Sequence, residues 1–358
     1  MSTAQPLTTS KFRTSEFEIV TEGLGYPEGP VCLADGSVLV TEIKTGKLTR
    51  VLPDGTKVTV ADLGGGPNGA AIGPDGAAYV CNDGGFQFFR LDQALNAAVG
   101  RGKLPAPVMA AAAGILLTGD QSADYTGGSI QRVDLTTGAF STLYEGCVNG
   151  GKSGLALETV FLRSPDDLVF DSSGGFWFTD WGKQRGRTRD ITGVYYALPD
   201  GSFIEEAIFP ANAPNGIAIS PDGKRLYVAE TFSQRVLWYE IVAPGVINPN
   251  PHSFNGGYVL AAGCPGMLDS MKVDEQGNVY VATLAKNGMV PVDSGITIIS
   301  PDGEIVEFMD VSAGAPDPLP SNICFGGPNR QTAYITMGGT GKLVKCQMRI
   351  PGLQLAFN

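Results

Sequence analysis

The chain repeats one short pattern six times, and this repetition limits what it can fold into more than any other feature. Each copy reads as a strand, a turn rich in Gly, Asp or Asn, and a second strand. The copies are YPEGPVCLADGSVLVTEI from Tyr26, GPNGAAIGPDGAAYVCND from Gly66, SPDDLVFDSSGGFWFTDW from Ser164, PNGIAISPDGKRLYVAET from Pro214, LDSMKVDEQGNVYVATL from Leu268 and PSNICFGGPNRQTAYITM from Pro320. A second hairpin follows most copies, as in GKLTRVLPDGTKVTV. Four short strands per unit, repeated roughly every 40 to 55 residues, are typical of a β-propeller.

One such unit cannot bury its own sheet, so the repeats must pack on one another. We therefore predict an all-β fold, a six-bladed β-propeller of four-stranded antiparallel blades. The segment Phe17 to Leu24 reads as a strand without a blade, and we expect it to complete the last blade and close the ring. This places an N-terminal tail at 1–16, a single propeller at 17–350 and a C-terminal tail at 351–358. The length of 358 residues alone suggests two domains, but the repeat outweighs that expectation.

The spacing breaks once, because roughly 45 extra residues lie near Phe86 to Gly128 in the second blade. This insert is rich in Ala, Leu and Met, so we expect it to be partly helical. It packs either against the outer surface of the blades or over one mouth of the central channel. We favour the mouth, since long structured loops often serve as lids. An apolar wall there implies a small-molecule ligand with a bulky, apolar part.

Charge and cysteine content exclude several classes of protein. With 25 Lys and Arg against 36 Asp and Glu, the net charge is −11, which disfavours binding to nucleic acid or to an anionic membrane surface. We identify no secretory signal, and the longest apolar run is half of the ~20 residues that a membrane span needs. Six scattered cysteines without a Cys-x-x-Cys pair predict neither a disulfide framework nor a zinc site, and they favour the cytoplasm. A single histidine, His252, excludes His-rich metal sites.

Aligning the six copies places a side-chain oxygen at one equivalent position in each. These residues, each seven positions before the matching turn residue, are Glu28, Asn68, Asp166, Asn215, Asp269 and Asn322. The first strand of each blade lines the central channel, so the six should form a ring near one mouth. Turn chemistry accounts for an Asn-Gly pair but poorly for Glu28, and not for three acids facing one another. A hard divalent cation held by oxygens accounts for both.

These motifs resemble the gluconolactonase/regucalcin-like family of six-bladed propellers, which includes senescence marker protein and luciferin-regenerating enzyme. The resemblance runs from about Phe17 to Leu343 and implies one divalent cation, Ca²⁺ before Zn²⁺, Mg²⁺ or Mn²⁺. The ligands it implies are Glu28, Asp166, Asn215 and Asp269. Asp166 stands where the family usually has Asn, which implies tighter binding of a hard cation and a weaker Lewis acid. The fifth copy reads LDSM where the family commonly has Pro-Asp-Gly-Met, but the acid is kept.

The resemblance implies a metal-dependent hydrolase that opens a lactone. The cation polarises the carbonyl group, and Asp269 assists the attack of water. Asp167, next to Asp166, is expected to orient a ligand from behind. The candidate contacts to the substrate are Asn68, Asn322, Arg163 and Trp181. Exposure of a strand charge explains Arg163 equally well, and core packing explains Trp181 equally well.

Three other functions stay open at this point. The same site would serve a hydrolase of other esters or of organophosphates. A binding propeller would use the ion only to stabilise its channel. A strictosidine-synthase-like enzyme requires a catalytic Glu without a metal, and the acid ring argues against it.

The basic segment from Lys183 to Asp190 reads as a solvated loop, with a contact to an anionic substrate as the alternative. The expected partner is a small lactone or ester, and with the insert at the mouth it would be bulkier and less polar than a simple sugar lactone.

Overall fold

The structure is a computed structural model that describes residues 10–98, 112–149, 158–284, 294–311 and 319–358. Within these ranges the chain forms strands and a single short helix. The first strand and the first two blades contain β1 (Glu18–Thr21), β2 (Pro27–Cys32), β3 (Val38–Glu42), β4 (Lys47–Val51), β5 (Lys57–Asp62), β6 (Pro67–Ile72), β7 (Ala78–Asn82), β8 (Phe86–Arg90), α1 (Leu91–Ala98), β9 (Leu116–Gln121), β10 (Ser129–Val133) and β11 (Phe140–Tyr144).

The third and fourth blades follow, with five short strands between or beside their main strands. They contain β12 (Gly146–Asn149), β13 (Glu158–Phe161), β14 (Pro165–Phe170), β15 (Phe176–Asp180), β16 (Gln184–Arg185), β17 (Thr188–Arg189), β18 (Thr192–Ala197), β19 (Ile204–Ala211), β20 (Pro214–Ile219), β21 (Arg225–Glu230), β22 (Arg235–Ala243), β23 (Val246–Asn248) and β24 (Tyr258–Ala262). The fifth and sixth blades contain β25 (Met267–Val273), β26 (Val279–Leu284), β27 (Gly295–Ile299), β28 (Ile305–Asp310), β29 (Pro320–Gly326), β30 (Thr332–Met337) and β31 (Lys342–Gln347).

The described sheets form the six antiparallel blades that the repeat predicts. The first blade has the strand order β2-β3-β4-β5, the second β6-β7-β10-β11, the third β14-β15-β18-β19 and the fifth β25-β26-β27-β28. The fourth follows β20-β21-β22, after which both β23 and β24 pair with β22. In the sixth, β1 pairs with β31 beside β30 and β29, with Glu18 opposite Lys345. The fold prediction and the closure of the ring by an N-terminal strand are therefore confirmed.

Aromatic side chains pack the second blade against the third. The ring centroids of Tyr79 on β7 and Phe170 on β14 are 5.1 Å apart, and those of Phe170 and Phe176 on β15 are also 5.1 Å apart. Phe176 is fully buried. Burying a side chain of this size contributes about 1.5–3 kcal/mol, so these contacts between neighbouring sheets stabilise the ring as a whole.

The inner strands of neighbouring blades approach each other so closely that particular positions must be glycine. A Cβ atom on Gly29 would lie 2.4 Å from the carbonyl oxygen of Asn68 on the next inner strand. On Gly216 it would lie 2.7 Å from the carbonyl oxygen of Asp269. The Glu-Gly and Asn-Gly pairs of the repeat thus combine two roles. The first residue faces the channel, and the glycine admits the backbone of the next blade.

Threonines on second strands join neighbouring blades directly. The hydroxyl of Thr41 on β3 donates to the carbonyl oxygen of Asn68 at 2.5 Å, and that of Thr179 on β15 donates to the carbonyl oxygen of Asn215 at 2.5 Å. Both threonines are fully buried. Each bond reaches from one blade to a ring residue of the following blade, so it holds the inner strands in register with one another.

The insert forms the β8–β9 hairpin with α1 at its far end, so its described part is partly helical as expected. Leu91, Ile115 and Leu117 pack in one cluster with Tyr26 and Leu319, which directly precede the inner strands β2 and β29. The described part of the insert therefore lies at the end of the channel where inner strands begin. Residues 99–111 fall outside the described ranges. No described helix is long and apolar enough to cross a membrane.

Replacing Thr179 with valine should lower stability, because it keeps the shape of the side chain but leaves the buried carbonyl oxygen of Asn215 without this donor. We expect the free energy of unfolding to fall by about 1–3 kcal/mol in urea denaturation. Thr188→Val on the exposed strand β17 is the matched control and should change it by less than about 0.5 kcal/mol. Equal losses in the two variants would contradict a role for this bond in joining the blades.

Candidate functional site

The six ring residues lie at the same end of the propeller, each at the second or third position of an inner strand. They are Glu28 in β2, Asn68 in β6, Asp166 in β14, Asn215 in β20, Asp269 in β25 and Asn322 in β29. The pairing of every inner strand shifts register at or next to this position. Such bulges redirect side chains, and here they occur where each ring residue leaves its strand. Asp269 is partly buried and the other five are buried.

The three carboxylates of the ring are close enough to affect one another. Burial raises the pKa of Asp166 well above its usual value, and the charges of Asp269 and Glu28 raise it further. Burial also raises the pKa of Asp269 well above its usual value, and the negative charge of Glu28 raises it further. Residues of blades one, three and five therefore lie near one another at this end of the propeller. Like charges in such a space are unfavourable without a compensating cation.

Glu28 is positioned by Asn322 from the neighbouring blade. Its Oε2 atom accepts hydrogen bonds from the backbone N–H of Gly29 at 2.5 Å and from Nδ2 of Asn322 at 2.7 Å. The Oδ1 atom of Asn322 accepts from the N–H of Ile323 at 2.8 Å. Burial raises the pKa of Glu28 to about 7, although these two hydrogen bonds lower it. Asn322 is thus fully buried with its amide hydrogen-bonded to Glu28, and the substrate contact that we expected of it stays a prediction.

Four ring oxygens are buried without a hydrogen-bond partner. They are Glu28 Oε1, Asn68 Oδ1, Asp166 Oδ1 and Asn215 Oδ1. Leaving a buried polar atom unpaired costs about 1–3 kcal/mol, so four at one site call for a common partner. Carboxylate and amide oxygens are what a hard divalent cation prefers, and the donor set fits such an ion. In the described ranges no three His, Cys, Asp or Glu side chains form a metal cluster by themselves. The unpartnered amide oxygens of Asn68 and Asn215 are part of this candidate donor set.

Asp167 is neutralised by a lysine that the sequence analysis missed. Its Oδ2 atom accepts from Nζ of Lys272 at 3.0 Å, and its Oδ1 atom accepts from the N–H of Leu168 at 3.0 Å. Asp167 is fully buried, while the side chain of Lys272 is 12% exposed. The pair gives Asp167 a charge partner of its own behind Asp166. The signal in the sequence was a lysine three residues after Asp269, a position that is apolar in the other five copies.

Lys183 is fully buried, so the interpretation of the segment Lys183 to Asp190 as a solvated loop is wrong at this residue. Its Nζ atom donates to Oδ1 of Asp83 at 3.1 Å and lies 3.2 Å from the ring centroid of Phe86. Burial raises the pKa of Asp83 and lowers that of Lys183. Both shifts oppose the charged states, so the cost of burial outweighs the attraction within this pair.

Trp181 belongs to an aromatic group at the mouth. Its Nε1 atom donates to Oγ1 of Thr231 at 3.0 Å, and its ring centroids lie 5.7 Å from Phe86 of the insert and 5.8 Å from Phe232. Arg163 is exposed at the edge of the same end. Trp181 therefore combines packing with a position near the ring, and it joins the insert to the third and fourth blades.

Asp180 is a buried acid with a structural task that the sequence analysis missed. It accepts hydrogen bonds from the backbone N–H groups of Arg163 at 2.7 Å, Ser164 at 2.8 Å and Gly182 at 3.0 Å. These bonds hold the segment that enters β14 just before Asp166. The sequence signal was an acid directly after a Thr that recurs between copies of the repeat, as in FTDW and VTEI. Glu42 after Thr41 similarly accepts from the N–H of Gly25 at 2.6 Å.

A cavity of about 580 Å³ lies at the opposite end of the inner strands from the ring. It is bounded by the ends of inner strands, such as Leu168–Phe170, and by the C-terminal segment Leu353–Asn358. The N–H of Leu353 donates to the carbonyl oxygen of Val273 at 2.9 Å, and Phe357 packs edge-on against Phe170. The cavity is largely apolar and contains none of the ring residues, so we place the chemistry at the ring.

Fold and site together define a six-bladed propeller with a ring of carboxylate and amide oxygens at one channel mouth. The chain belongs to the family described as SMP-30/Gluconolactonase/LRE-like region, which matches residues 26–339. It is 32% identical over 188 residues to a gluconolactonase of Zymomonas mobilis, covering 49% of this chain and 48% of that protein. It is 40% identical over 123 residues to lactonase drp35 of Staphylococcus aureus, covering 33% of this chain and 35% of that protein. The chain thus matches half or less of the length of these relatives.

Solved structures show the same fold. A gluconolactonase from Xanthomonas campestris aligns with a TM-score of 0.64 at 18% identity, covering 97% of this chain and 98% of that one. A calcium-binding protein, regucalcin, from Agrobacterium tumefaciens aligns with a TM-score of 0.64 at 15% identity, covering 95% and 96%. At these identities the likeness concerns the fold alone.

Replacing Lys183 with methionine should destabilise the protein strongly, because Asp83 would then be buried without its cation. We expect the free energy of unfolding to fall by about 3–5 kcal/mol in urea denaturation. The double variant Asp83→Asn/Lys183→Met should lose less than the single one, since no uncompensated charge remains. Arg187→Met is the control, because Arg187 is exposed in the turn between β16 and β17, four residues after Lys183. A double variant less stable than Lys183→Met would contradict the ion pair as the cause.

Proposed function

We propose that this chain hydrolyses lactones at the ring, using one divalent cation, with Ca²⁺ preferred. The observation that carries the proposal is that Glu28, Asp166 and Asn215, on three different blades, each keep a buried oxygen without a hydrogen-bond partner. The names of two relatives, a gluconolactonase and a lactonase, support the same reaction class. The ligands would be Glu28, Asp166, Asn215 and Asp269. When bound, such a cation supplies Lewis-acid stabilisation for the negative charge that develops on a carbonyl oxygen.

Asp269 is the residue that we assign as general base. Asp269 is only partly buried, so it is more exposed than the other two ring carboxylates. Glu28 is 2% exposed and Asp166 is 4% exposed. Asp269 therefore lies nearest to entering water. It accepts a proton as a water oxygen adds to the carbonyl carbon of the lactone. The ring C–O bond then breaks, the leaving oxygen takes up that proton, and the product is a hydroxy acid.

The remaining contacts would orient the substrate. Asn68 is buried with a free Oδ1 atom beside the carboxylates, which suits a hydrogen-bonding role toward a substrate hydroxyl. Trp181 and Phe86 would supply an apolar wall, and the insert that carries Phe86 packs at this end. Polar groups at one side and aromatic rings at the other are typical of small-molecule sites. This supports a lactone bulkier and less polar than a simple sugar lactone.

The reaction is tested by following acid release from a panel of sugar, alkyl and aryl lactones, with Ca²⁺ and with a chelator. We expect turnover of at least one lactone that stops on chelation. Asp269→Asn should lower kcat by at least about 100-fold, because the general base is lost. The exposed Asp200→Asn serves as the control. Turnover that survives both chelation and Asp269→Asn would refute the assignment.

Replacing Glu28 with glutamine tests the cation site separately from turnover. The change keeps the size of the side chain but removes one of three ring carboxylates, so Ca²⁺ affinity measured by titration calorimetry should fall by at least about tenfold. Glu22→Gln, an exposed glutamate before the first blade, is the matched control and should bind Ca²⁺ as the unmodified protein does. Unchanged affinity in Glu28→Gln would mean that the ion is held elsewhere.

A further inference from the structure

Arg189 lies at the channel mouth between the third and fourth blades. It is on β17, in the β16–β17 hairpin that interrupts the third blade between β15 and β18. Its guanidinium carbon is 3.7 Å from the ring centroid of Trp181 and 5.0 Å from that of Phe232. Trp181 follows β15 and Phe232 follows β21, at the end where β14 and β20 begin. Arg189 is thus placed next to the blades that contribute Asp166 and Asn215 to the ring.

The guanidinium group has hydrogen-bonding capacity that the described residues leave unused. Its Nη2 atom donates to the carbonyl oxygen of Trp181. Its Nε and Nη1 atoms are buried and have no hydrogen-bond partner. Buried donors are nearly always paired, and an unpaired donor on a charged group is especially costly. These two donors therefore call for acceptor oxygens from outside the described protein.

The carboxylates around Arg189 have other partners or belong to the ring. Asp190 binds Arg185 through both oxygens, at 2.9 Å and 3.0 Å, and Asp180 accepts from three backbone N–H groups. The remaining neighbour, Asp166, keeps its Oδ1 atom unpartnered toward the ring. Burial lowers the pKa of Arg189 to about 10, and the charges of these three acids raise it, so the side chain remains a cation at neutral pH.

Two lysines near the channel are already neutralised within the protein. Lys183 pairs with Asp83, and Lys272 pairs with Asp167. Arg189 has no such pair in the described ranges. An anionic group that approaches an acidic ring would be repelled unless a cation receives it, and a planar guanidinium stacked on Trp181 is well suited to a planar carboxylate.

We propose that Arg189 binds a carboxylate carried by the substrate beside its lactone ring, and so selects acidic lactones over neutral ones. This rests on the proposed lactonase function and narrows its substrate class. The apolar wall of Trp181 and Phe232 then contacts the body of the substrate, while the lactone carbonyl faces the ring residues. Arg189 acts in binding, so its loss should appear in KM more than in kcat.

The test compares a γ-lactone that carries a ring carboxylate with its carboxamide, which has nearly the same shape but no charge. The unmodified Ca²⁺-loaded protein should prefer the carboxylate. Arg189→Gln should raise KM for the carboxylate by about 10–100-fold, the effect expected from a hydrogen bond to a charged group, and at least tenfold more than for the carboxamide. The KM of Arg189→Lys for the carboxylate should lie between those of the unmodified protein and Arg189→Gln, because lysine keeps the charge but lacks the planar guanidinium group. Arg187→Gln, an exposed arginine of the same hairpin, is the control.

Equal losses on both substrates would overturn the proposal, because Arg189 would then only support Trp181. No preference for the carboxylate in the unmodified protein would overturn it as well. Calorimetry tests carboxylate binding by Arg189 separately from the lactonase function, because it requires no turnover. It compares the binding of the ring-opened dicarboxylate with the binding of its monoamide. If no lactone is hydrolysed, weaker dicarboxylate binding in Arg189→Gln still supports the proposal, and unchanged binding refutes it. If Arg189→Gln does not fold, Arg189→Lys decides by the same comparisons.

Discussion

The close approach of six inner strands is the constraint on which the rest of the structure depends. Where Gly29 meets the backbone of Asn68, and Gly216 that of Asp269, no side chain fits between neighbouring blades. The hydroxyls of Thr41 and Thr179 bond across the same junctions. Backbone contacts of this kind have little freedom to shift, and they hold the preceding residue of each strand at a set height in the channel. Packing that is otherwise apolar therefore places a ring of polar residues in the channel.

Gathering carboxylates in this way has an electrostatic cost, and the protein meets it in several places. Asp167 and Asp83 each have a lysine partner, and Asp180 has three backbone N–H groups. Glu28 Oε1 and Asp166 Oδ1 have no such compensation. The buried acids thus fall into two groups, those with partners in the protein and those with an unpaired oxygen. The second group is the one that a cation and a substrate would use.

Much of the architecture was predictable because it depends on a periodic pattern. Six copies of a strand-turn-strand motif predicted the blades, and the unassigned segment from Phe17 predicted ring closure through β1. The common position of Glu28, Asp166 and Asp269 within the repeat also predicted that they would share one end. Interactions outside the repeat were not predictable. Lys183 and Asp83 are 100 residues apart in sequence, and Lys272 and Asp167 are 105 apart, with no local pattern that joins them.

The sequence by itself determined the number of blades, the closure of the ring and the equivalent position of the ring residues in their inner strands, because each follows from spacing along the chain. Tertiary structure decided what those residues do there. It turned Asn322 toward Glu28, buried Lys183 in a segment that reads as solvated, and left two donors of Arg189 unpaired beside the ring. The physical reason is that hydrogen bonding and burial depend on which blades become neighbours. A local motif specifies a position in its own strand but not the groups that another blade brings to it.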